Sequence, residues 1–319
     1  MSLVENVAIG SDEGELRLDR WFKRHYPDLS FIQLQKLLRT GQVRVDGKRA
    51  KAGDRVHPGQ IIRVPPLPAP PAGDRPKPAK PTQVSPEDAS ALKAMILHMD
   101  DQVIVLNKPP GLAVQGGTGA TRHVDGMLDA LKFDKPERPR LVHRLDKDTS
   151  GVLLLARTAQ AATLLTKAFK GRDVRKVYWA LVIGVPQLSE GTIKAPLAKL
   201  PGRMGEKMVV DEERGDVAIT DFSVIEAVQK KLAWLELEPH TGRTHQLRVH
   251  CLVLGTPILG DGKYGGAEAF LEGFLSRKMH LHARSLTFPH PAGGSLTITA
   301  PLPEHMKKTF EFFGMDANR

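Results

Sequence analysis

The stretch LVHRLDKDTSGVLLLA, residues 141–156, joins a highly charged loop to an uninterrupted apolar strand. Functional groups concentrate in loops that a rigid element holds in place. Asp146 has four charged or ionisable neighbours in this loop, which are His143, Arg144, Lys147 and Asp148. Because nearby cations favour an ionised carboxylate, Asp146 is a candidate functional group. A capping aspartate held by ion pairs is the structural alternative.

A second polar segment, EPHTGRTHQLRVHCLVLGTPILGD, spans residues 238–261. A turn at residues 241–242 precedes a helix-like stretch that should bring four cationic or ionisable side chains together, namely Arg243, His245, Arg248 and His250. With His240, these histidines could suggest zinc. The segment lacks H-E-x-x-H or paired-cysteine spacing, however, and the adjacent cations would repel a metal ion. We therefore expect no metal, and core or capping roles for individual histidines.

A third segment, VRKVYWALVIGV at residues 174–185, places Tyr178 in a predicted strand that follows a basic stretch. The basic residues are Lys167, Lys170, Arg172, Arg175 and Lys176. An aromatic ring beside cations suits stacking on a flipped nucleic-acid base together with phosphate contacts. A tyrosine in a core strand is the equally simple alternative.

A fourth segment, VIVLNKPPGLAVQGGTG at residues 103–119, is a strand followed by a glycine-rich loop. The loop lacks the G-x-x-x-x-G-K-[ST] pattern of phosphate-binding Walker sequences. The chain also lacks a G-x-S-x-G nucleophile elbow and a dinucleotide fingerprint. These absences argue against nucleotide hydrolysis, serine hydrolase chemistry and nicotinamide cofactors.

The whole composition favours a polyanionic partner. The chain has 319 residues, 46 lysines and arginines against 36 acidic residues, a formal charge of +10 and a pI near 9.7. Nucleic acid is the leading candidate for such a partner. Cys251 is the single cysteine, so no intramolecular disulfide can form. With neither a signal peptide nor an apolar run of about 18 residues, we expect a cytoplasmic protein without a membrane segment.

Proline marks a boundary in the chain. Nine of the 24 prolines lie between Pro65 and Pro86, where no apolar period can be sustained. We predict an N-terminal domain at residues 1–64, a proline-rich linker at 65–90 and a larger domain at 91–319. Strand-like runs and helical patterns mix irregularly in the larger domain, which indicates an α+β fold.

The N-terminal domain is predicted to contain two helices and a hairpin. Residues 18–25 form an amphipathic helix, and Ser30 with Gln33 should cap a second one. Its buried stripe is predicted to be Phe31, Leu34, Leu37 and Leu38. Asp46-Gly47 signals the hairpin turn, before a second strand around residues 56–64. Basic residues among these apolar positions, including Arg20, Lys36, Arg39 and Arg44, could form one face.

Residues 15–65, with LRLDRWF, LSFIQLQKLLRTGQVRVDGKR and GDRVHPGQIIRV, resemble the S4 RNA-binding domain. The four segments described above, followed by GD-x-K-Y-G at residues 260–265, occur in the order typical of RluA-type pseudouridine synthases. This second resemblance covers about residues 95–305. It implies a catalytic domain with a central mixed, mainly antiparallel sheet. It also implies that Asp146 is the catalytic aspartate, Tyr178 stacks on the target base, Arg248 partners the aspartate and Arg144 fills the space of the flipped base.

The combined architecture is most similar to RluC-type enzymes that act on large-subunit (23S) ribosomal RNA. A tRNA pseudouridine synthase and a non-catalytic RNA-binding assembly factor are the alternatives, and a metal-dependent nuclease is disfavoured because no carboxylate cluster for magnesium is evident. We expect structured RNA as partner, a monomer, and neither metal nor cofactor. The expected RNA-binding residues are Arg144, Arg20, Lys36, Arg39, Arg44, Arg175, Lys176 and Arg243.

Overall fold

The computed structural model divides the chain into two compact units, Met1–Gln83 and Val84–Arg319. It describes residues 4–10, 16–67, 84–116, 122–200, 207–273 and 276–317. Most of the predicted linker, at residues 68–83, and the end of the glycine-rich loop, at residues 117–121, lie outside this description.

The first unit consists of two helices and a small antiparallel sheet. Its elements are β1 (Glu5–Ala8), α1 (Leu18–His25), α2 (Phe31–Arg39), β2 (Arg44–Val45), β3 (Lys48–Arg49) and β4 (Ile61–Val64). The strand order is β1-β4-β2-β3. The predicted capping box is confirmed, since Gln33 N donates to Ser30 Oγ and the Gln33 side chain accepts from the Ser30 backbone. The predicted hairpin turn is also confirmed, with positive φ at Asp46 and Gly47.

One prediction for this unit is wrong. Phe31 was expected in the buried stripe of α2, but 58% of its surface is exposed, as is 81% of that of Ile32. Phe31 is in the first turn of α2, and Leu34 is the first residue of this helix that belongs to the core cluster. Helical period alone could not show that the core of this small unit ends short of the first turn.

The second unit begins with a helix that overlaps the predicted linker. Its elements are α3 (Pro86–Ala94), β5 (Ile96–Met99), β6 (Val103–Lys108), α4 (Val124–Met127), β7 (Arg140–Leu141), β8 (Ser150–Ala156), α5 (Ala159–Gly171), β9 (Arg175–Ile183), β10 (Glu190–Lys194), β11 (Leu197–Lys199), β12 (Met208–Val210), β13 (Ile219–Val228), β14 (Leu232–Pro239), α6 (Gln246–Val253), β15 (Leu281–Pro289), β16 (Ser295–Thr299) and α7 (Glu304–Phe313). The Ser85 side chain caps α3, and Leu92 is fully buried in the core of this unit. Residues 86–90 are therefore the start of a packed helix, not linker.

A ten-stranded sheet organises the second unit. Its main path is β10-β13-β14-β9-β15-β8-β6-β5, with β16 beside β15 and β7 beside β8. Eight of its strand pairings are antiparallel, and the pairing of β15 with β8 is parallel. The predicted α+β class with a mixed, mainly antiparallel sheet is thus confirmed.

The position of strand β8 explains why residues 150–156 are so apolar. All seven of its residues are buried. Side chains alternate between the two faces of a strand, so Leu153 and Leu155 join one core cluster while Val152 and Leu154 join another that includes α5. Both faces of the strand are covered, which requires a continuous apolar run. The strand therefore forms a rigid support for the charged loop that precedes it.

Gly151 is required where β8 and β15 meet. Its φ is +109°, and a Cβ at this position would lie 2.2 Å from the carbonyl oxygen of Ala283. Only glycine permits this backbone conformation together with such a close approach. The glycine thus lets the parallel strands meet directly after the 146–149 turn.

No helix among the described ranges is both long enough and apolar enough to cross a membrane.

Candidate active site

Two cavities meet at Asp146. One has a volume of about 490 Å³ and the other about 910 Å³. Four residues line both cavities, and these are Asp146, Lys147, His245 and Arg248. Tyr178 and Arg144 line the larger cavity only. The fold thus gathers the three predicted catalytic residues, which are separated by up to 102 positions in sequence, around one space.

Backbone contacts hold the loop that carries Asp146. The Thr149 amide donates to the carbonyl oxygen of Asp146 at 3.2 Å, which closes a turn just before β8. The carbonyl oxygen of Lys147 accepts from the Gly111 amide at 2.9 Å and from Lys108 Nζ at 3.0 Å. The loop after β6 and the loop before β8 are therefore tied together beside the carboxylate.

Lys108 is a fully buried lysine beneath this loop, and the sequence reasoning assigned it no role. Its Nζ donates to the carbonyl oxygens of Pro109, Leu112 and Lys147 at 2.9–3.0 Å. Burial lowers the pKa of Lys108 to about 7, although the charges of Asp148 and Asp146 raise it. Three carbonyl acceptors match the three N–H groups of an ammonium, whereas a neutral amine has only two. The geometry thus favours a charged lysine that clamps both loops.

Arg248 makes its direct ion pair with a carboxylate other than Asp146. Its Nε and Nη2 donate to the two oxygens of Asp261 at 2.7 and 2.6 Å, and both side chains are almost fully buried. Burial lowers the pKa of Arg248, but hydrogen bonds to Asp261 and the charges of Asp261 and Asp146 raise it overall. Arg248 is therefore a fixed cation in the cavity, oriented by Asp261 and electrostatically coupled to Asp146.

Tyr178 lies on β9, where it packs against two core clusters of the second unit. Burial raises the pKa of its phenol, and the charge of Asp146 raises it further. The side chain is therefore a neutral phenol at ordinary pH. Its ring faces the larger cavity as an apolar wall with a polar tip.

Four of the predicted RNA-binding residues line or flank the larger cavity. Arg144 is exposed and makes one long hydrogen bond, 3.3 Å, to the Gln115 side chain. Arg243 contacts the carbonyl oxygen of Val217 and the Asp216 carboxylate.

The other two come from the start of β9. Burial lowers the pKa of the Lys176 ammonium, and the charge of Arg172 lowers it further. Arg175 already pairs with both oxygens of Glu238, at 2.8 and 2.5 Å. Its charge is therefore partly neutralised within the protein.

The remaining predicted RNA-binding residues lie in the first unit. Arg20, Lys36, Arg39 and Arg44 are all exposed. Arg44 donates to the carbonyl oxygens of Gly41 and Gly47, so its guanidinium braces its own hairpin.

The histidines of the second segment separate into different environments. His250 is in the core, within hydrogen-bonding distance of the Thr220 hydroxyl and the Ala195 carbonyl oxygen. His240 pairs with Asp221 on the surface. His245 alone of these three lines both cavities. Among the residues that the structure describes, no group of three or more histidine, cysteine or acidic side chains could hold a metal ion.

His143, in the Asp146 loop, has a structural contact. Its Nε2 accepts from the Leu154 amide at 2.8 Å, and its ring stacks on Phe169 with centroids 4.6 Å apart. Burial lowers the pKa of His143 to about 3, with a contribution from the charge of Lys176. A neutral imidazole is required for Nε2 to accept this bond.

Comparison with known proteins identifies the family. Residues 102–252 match the family described as RNA pseudouridylate synthase, and residues 16–62 match the S4 domain. The chain is 36% identical over 320 residues to ribosomal large subunit pseudouridine synthase C of Salmonella typhi, covering 97% of this chain and 96% of that protein. The chain belongs to the RNA pseudouridine synthase family.

Two further relatives agree with this assignment. Mitochondrial RNA pseudouridine synthase 4 of Arabidopsis thaliana is 35% identical over 386 residues, covering 96% of this chain and 81% of the relative. The solved structure of human RNA pseudouridylate synthase domain containing 4 is 33% identical with a TM-score of 0.60, covering 72% of this chain and 96% of that one. This pseudouridine synthase is therefore an isomerase that converts uridine to pseudouridine in RNA.

The synthase site also contains residues that sequence reasoning missed. Asp261 and Tyr264 belong to the GD-x-K-Y-G motif, so the signal was present but without an assigned role. Three cations, Lys263, Arg277 and Lys278, line the smaller cavity. The guanidinium of Arg277 lies 4.3 Å from the centre of the Phe270 ring, a contact that no local pattern signals. Tyr178 does not line this smaller cavity, so these cations add positive charge to a part of the site that the tyrosine does not reach.

Proposed function

We propose that this chain isomerises specific uridines in large-subunit (23S) ribosomal RNA, with Asp146 as the catalytic carboxylate. The observation that carries the assignment is the meeting of both cavities at Asp146, beside Arg248 and Tyr178. The choice of ribosomal RNA rests on the S4 domain and on a near full-length relative that is named for the ribosomal large subunit.

The reaction requires an ionised carboxylate and a site that retains the detached uracil. The C1′–N1 glycosidic bond breaks, the uracil turns and C5 joins C1′. The proton lost from C5 is balanced by a proton gained at N1, so the reaction is a redox-neutral isomerisation. Asp146 can attack C1′ as a nucleophile, or remove the 2′ proton so that a glycal forms. Both routes need an ionised carboxylate next to C1′. Arg248 places a fixed positive charge, electrostatically coupled to Asp146, in the cavity where the carboxylate reacts.

Tyr178 is proposed to stack on the target uracil. The raised pKa of its phenol supports this role, because a phenol that stays protonated is a poor base for the C5 proton. Stacking of a base on an aromatic ring contributes about 1–3 kcal/mol. Tyr178 therefore holds the uracil while it turns, and proton relay becomes the secondary possibility.

Arg144 is proposed to fill the space that the flipped uridine leaves in the RNA. It is exposed at the rim of the larger cavity and is held by one long hydrogen bond, which leaves its guanidinium able to move into the RNA. Extruding a paired base costs a few kcal/mol. An arginine in the vacated position offsets part of that cost by stacking and hydrogen bonding.

The basic residues of the two units are proposed to contact different phosphates of the RNA. Lys176 and Arg243, near the larger cavity, would contact phosphates close to the target, and Arg175 would do so less strongly because of Glu238. Arg20, Lys36, Arg39 and Arg44 would contact phosphates of a neighbouring RNA element. Such contacts set affinity and orientation more than sequence choice.

We further propose that the enzyme acts as a monomer in the cytoplasm.

The test is tritium release from C5-labelled RNA, with large-subunit ribosomal RNA and tRNA as parallel substrates. Asp146→Asn should abolish release while leaving RNA affinity within a few-fold, because most affinity comes from phosphate contacts. Asp101→Asn is the matched control, since it makes the same chemical change at an exposed turn away from both cavities. Release by Asp146→Asn at the control rate would refute the assignment. Release from tRNA but not from ribosomal RNA would show that the enzyme is a tRNA pseudouridine synthase.

A further inference from the structure

His245 lines both cavities together with Asp146 and Arg248, yet the mechanism above gives it no role. It stands immediately before α6 in the left-handed backbone region, with φ +54°. Residues other than glycine adopt this conformation at a cost of about 1–3 kcal/mol. The cost is typical of positions where a side chain has to point in a defined direction. The direction in this case is set by a hydrogen bond to Tyr264.

The Tyr264 hydroxyl is the hydrogen-bond partner of one nitrogen of the His245 imidazole. The hydroxyl oxygen accepts from the Met208 backbone amide at 3.0 Å and lies 2.7 Å from His245 Nδ1. Among the described residues, these are the two hydrogen-bond partners of that hydroxyl. An amide N–H can only donate, and a phenol has a single proton to give. Donation of that proton to Nδ1 gives each of these groups a partner, and it places the proton of a neutral imidazole on Nε2.

Several charged groups surround this imidazole. Burial lowers the pKa of His245, and the charges of Arg248 and Lys263 lower it further, whereas Asp146 and Asp261 raise it. Because the net direction is downward, the imidazole is neutral at neutral pH. The Tyr264 ring is itself held on two sides. Its centre lies 4.9 Å from the Arg248 guanidinium and 5.6 Å from the centre of the His245 ring, which is inclined to it by 79°. A neutral imidazole with Nδ1 engaged has Nε2–H as its free donor.

We propose that His245 donates a hydrogen bond from Nε2–H to a carbonyl oxygen of the uracil as it separates from C1′. When the C1′–N1 bond breaks, its electron pair stays with the uracil, and the negative charge spreads from N1 onto the carbonyl oxygens. A donor already oriented towards that charge stabilises the separated base without transferring a proton. Tyr178 and His245 line the same larger cavity, so one would stack on the uracil and the other would contact its edge.

This inference rests on the proposed function and identifies a further catalytic residue for it. His245→Asn keeps an acceptor near the position of Nδ1 but removes the donor at Nε2. His245→Gln places an amide N–H near Nε2 but removes the acceptor. Loss of one such donor typically lowers the rate about 10²–10³-fold. We expect His245→Asn to lower the single-turnover rate about 100-fold while RNA affinity stays within a few-fold of wild type. The His245→Gln enzyme should be at least tenfold faster than the His245→Asn enzyme.

Rescue by glutamine is a demanding criterion. Asparagine tolerates the left-handed backbone better than most residues do, so strain acts against the glutamine variant. A His245→Asn enzyme as fast as wild type would overturn the proposal, as would an asparagine variant faster than the glutamine variant. Wild-type protein that releases no tritium from any RNA would instead remove the proposed function, and this role with it.

The proton position can be measured without turnover, by nitrogen NMR of wild-type protein labelled in its histidines. The His245 signal is assigned by its loss in His245→Asn. At pH 7.5 we expect a protonated Nε2 and an unprotonated Nδ1 that accepts a hydrogen bond. Tyr264→Phe keeps the ring but removes the hydroxyl, so it should shift the signal towards a mixture of the two tautomers. A proton on Nδ1 in the wild-type protein would overturn the proposal, whatever the turnover rates of the two variants.

Discussion

The ion pair between Arg248 and Asp261 leads to a prediction that combines folding and catalysis. Arg248 donates two hydrogen bonds to the Asp261 carboxylate, and the side chains are only 8% and 1% exposed. Replacing Arg248 by methionine keeps most of the volume but leaves the carboxylate buried without its partner. Removing one member of a buried pair in this way costs about 3–5 kcal/mol. For a unit of this size, the cost corresponds to a fall in Tm of about 6–20 °C.

The assay compares urea unfolding of wild type and variants, with turnover measured on the same preparations. Arg175→Met is the matched control, because Arg175 also pairs with both oxygens of a carboxylate, Glu238, but with 61% and 32% of the side chains exposed. A surface pair of this kind contributes about 0–1 kcal/mol. Arg248→Met should therefore lose several times more stability than Arg175→Met, and should also lose turnover.

A double variant separates the missing pair from a general packing defect. Arg248→Met combined with Asp261→Leu removes both charges, and replacing a buried pair by apolar groups is often neutral. The double variant should regain most of the lost stability but none of the turnover. Equal losses in Arg248→Met and Arg175→Met would refute the reasoning, because burial of the pair would then have no energetic consequence.

Three further predictions follow from other parts of the molecule. Deleting residues 1–83 should make RNA binding less steeply dependent on salt, because fewer phosphates are neutralised, and should preserve the single-turnover rate at saturating RNA. An unchanged salt slope would argue against an RNA-binding role for the first unit. Burial lowers the pKa of His280 to about 3 and that of His282 to about 4, so the unfolded chain binds more protons below pH 6.5. Their contribution to stability should be complete above pH 6.5 and lost as the pH falls towards 4 and then 3, and a urea midpoint independent of pH between 6.5 and 4 would contradict this. Gly151→Ala should prevent the normal approach of β8 to Ala283 and lower the urea midpoint markedly, whereas Gly59→Ala, also at positive φ but with no atom near its Cβ, should cost less.

Local patterns in the sequence predicted local structure well. The helix at Leu18–His25, the capping box at Ser30 and the turn at Asp46-Gly47 depend on residues a few positions apart, and all three are confirmed. The strand after Asp146 was equally clear, because burial on both faces requires a continuous apolar run. The loop containing Asp146 could therefore be placed at the start of a strand from sequence alone.

Features that depend on distant residues could not be predicted in this way. Strand β15 lies between β9 and β8, but its sequence LHARSLTFP contains polar and charged residues and gives no strong strand signal. Burial of Lys108 depends on carbonyl oxygens in two loops. The pairing of Arg248 with Asp261 requires the chain to turn back after α6. Phe31 is exposed because the small core does not extend to the first turn of α2, and helical periodicity does not show where a core ends.

The central claim is that this chain converts uridines of large-subunit ribosomal RNA through Asp146. The most direct measurement maps pseudouridines at single-nucleotide resolution in the ribosomal RNA of cells that lack the protein, with or without a restored copy. Specific pseudouridines should disappear without the protein, return with the wild-type copy and stay absent with an Asp146→Asn copy expressed to the same level. An unchanged map, or full restoration by Asp146→Asn, would contradict the claim.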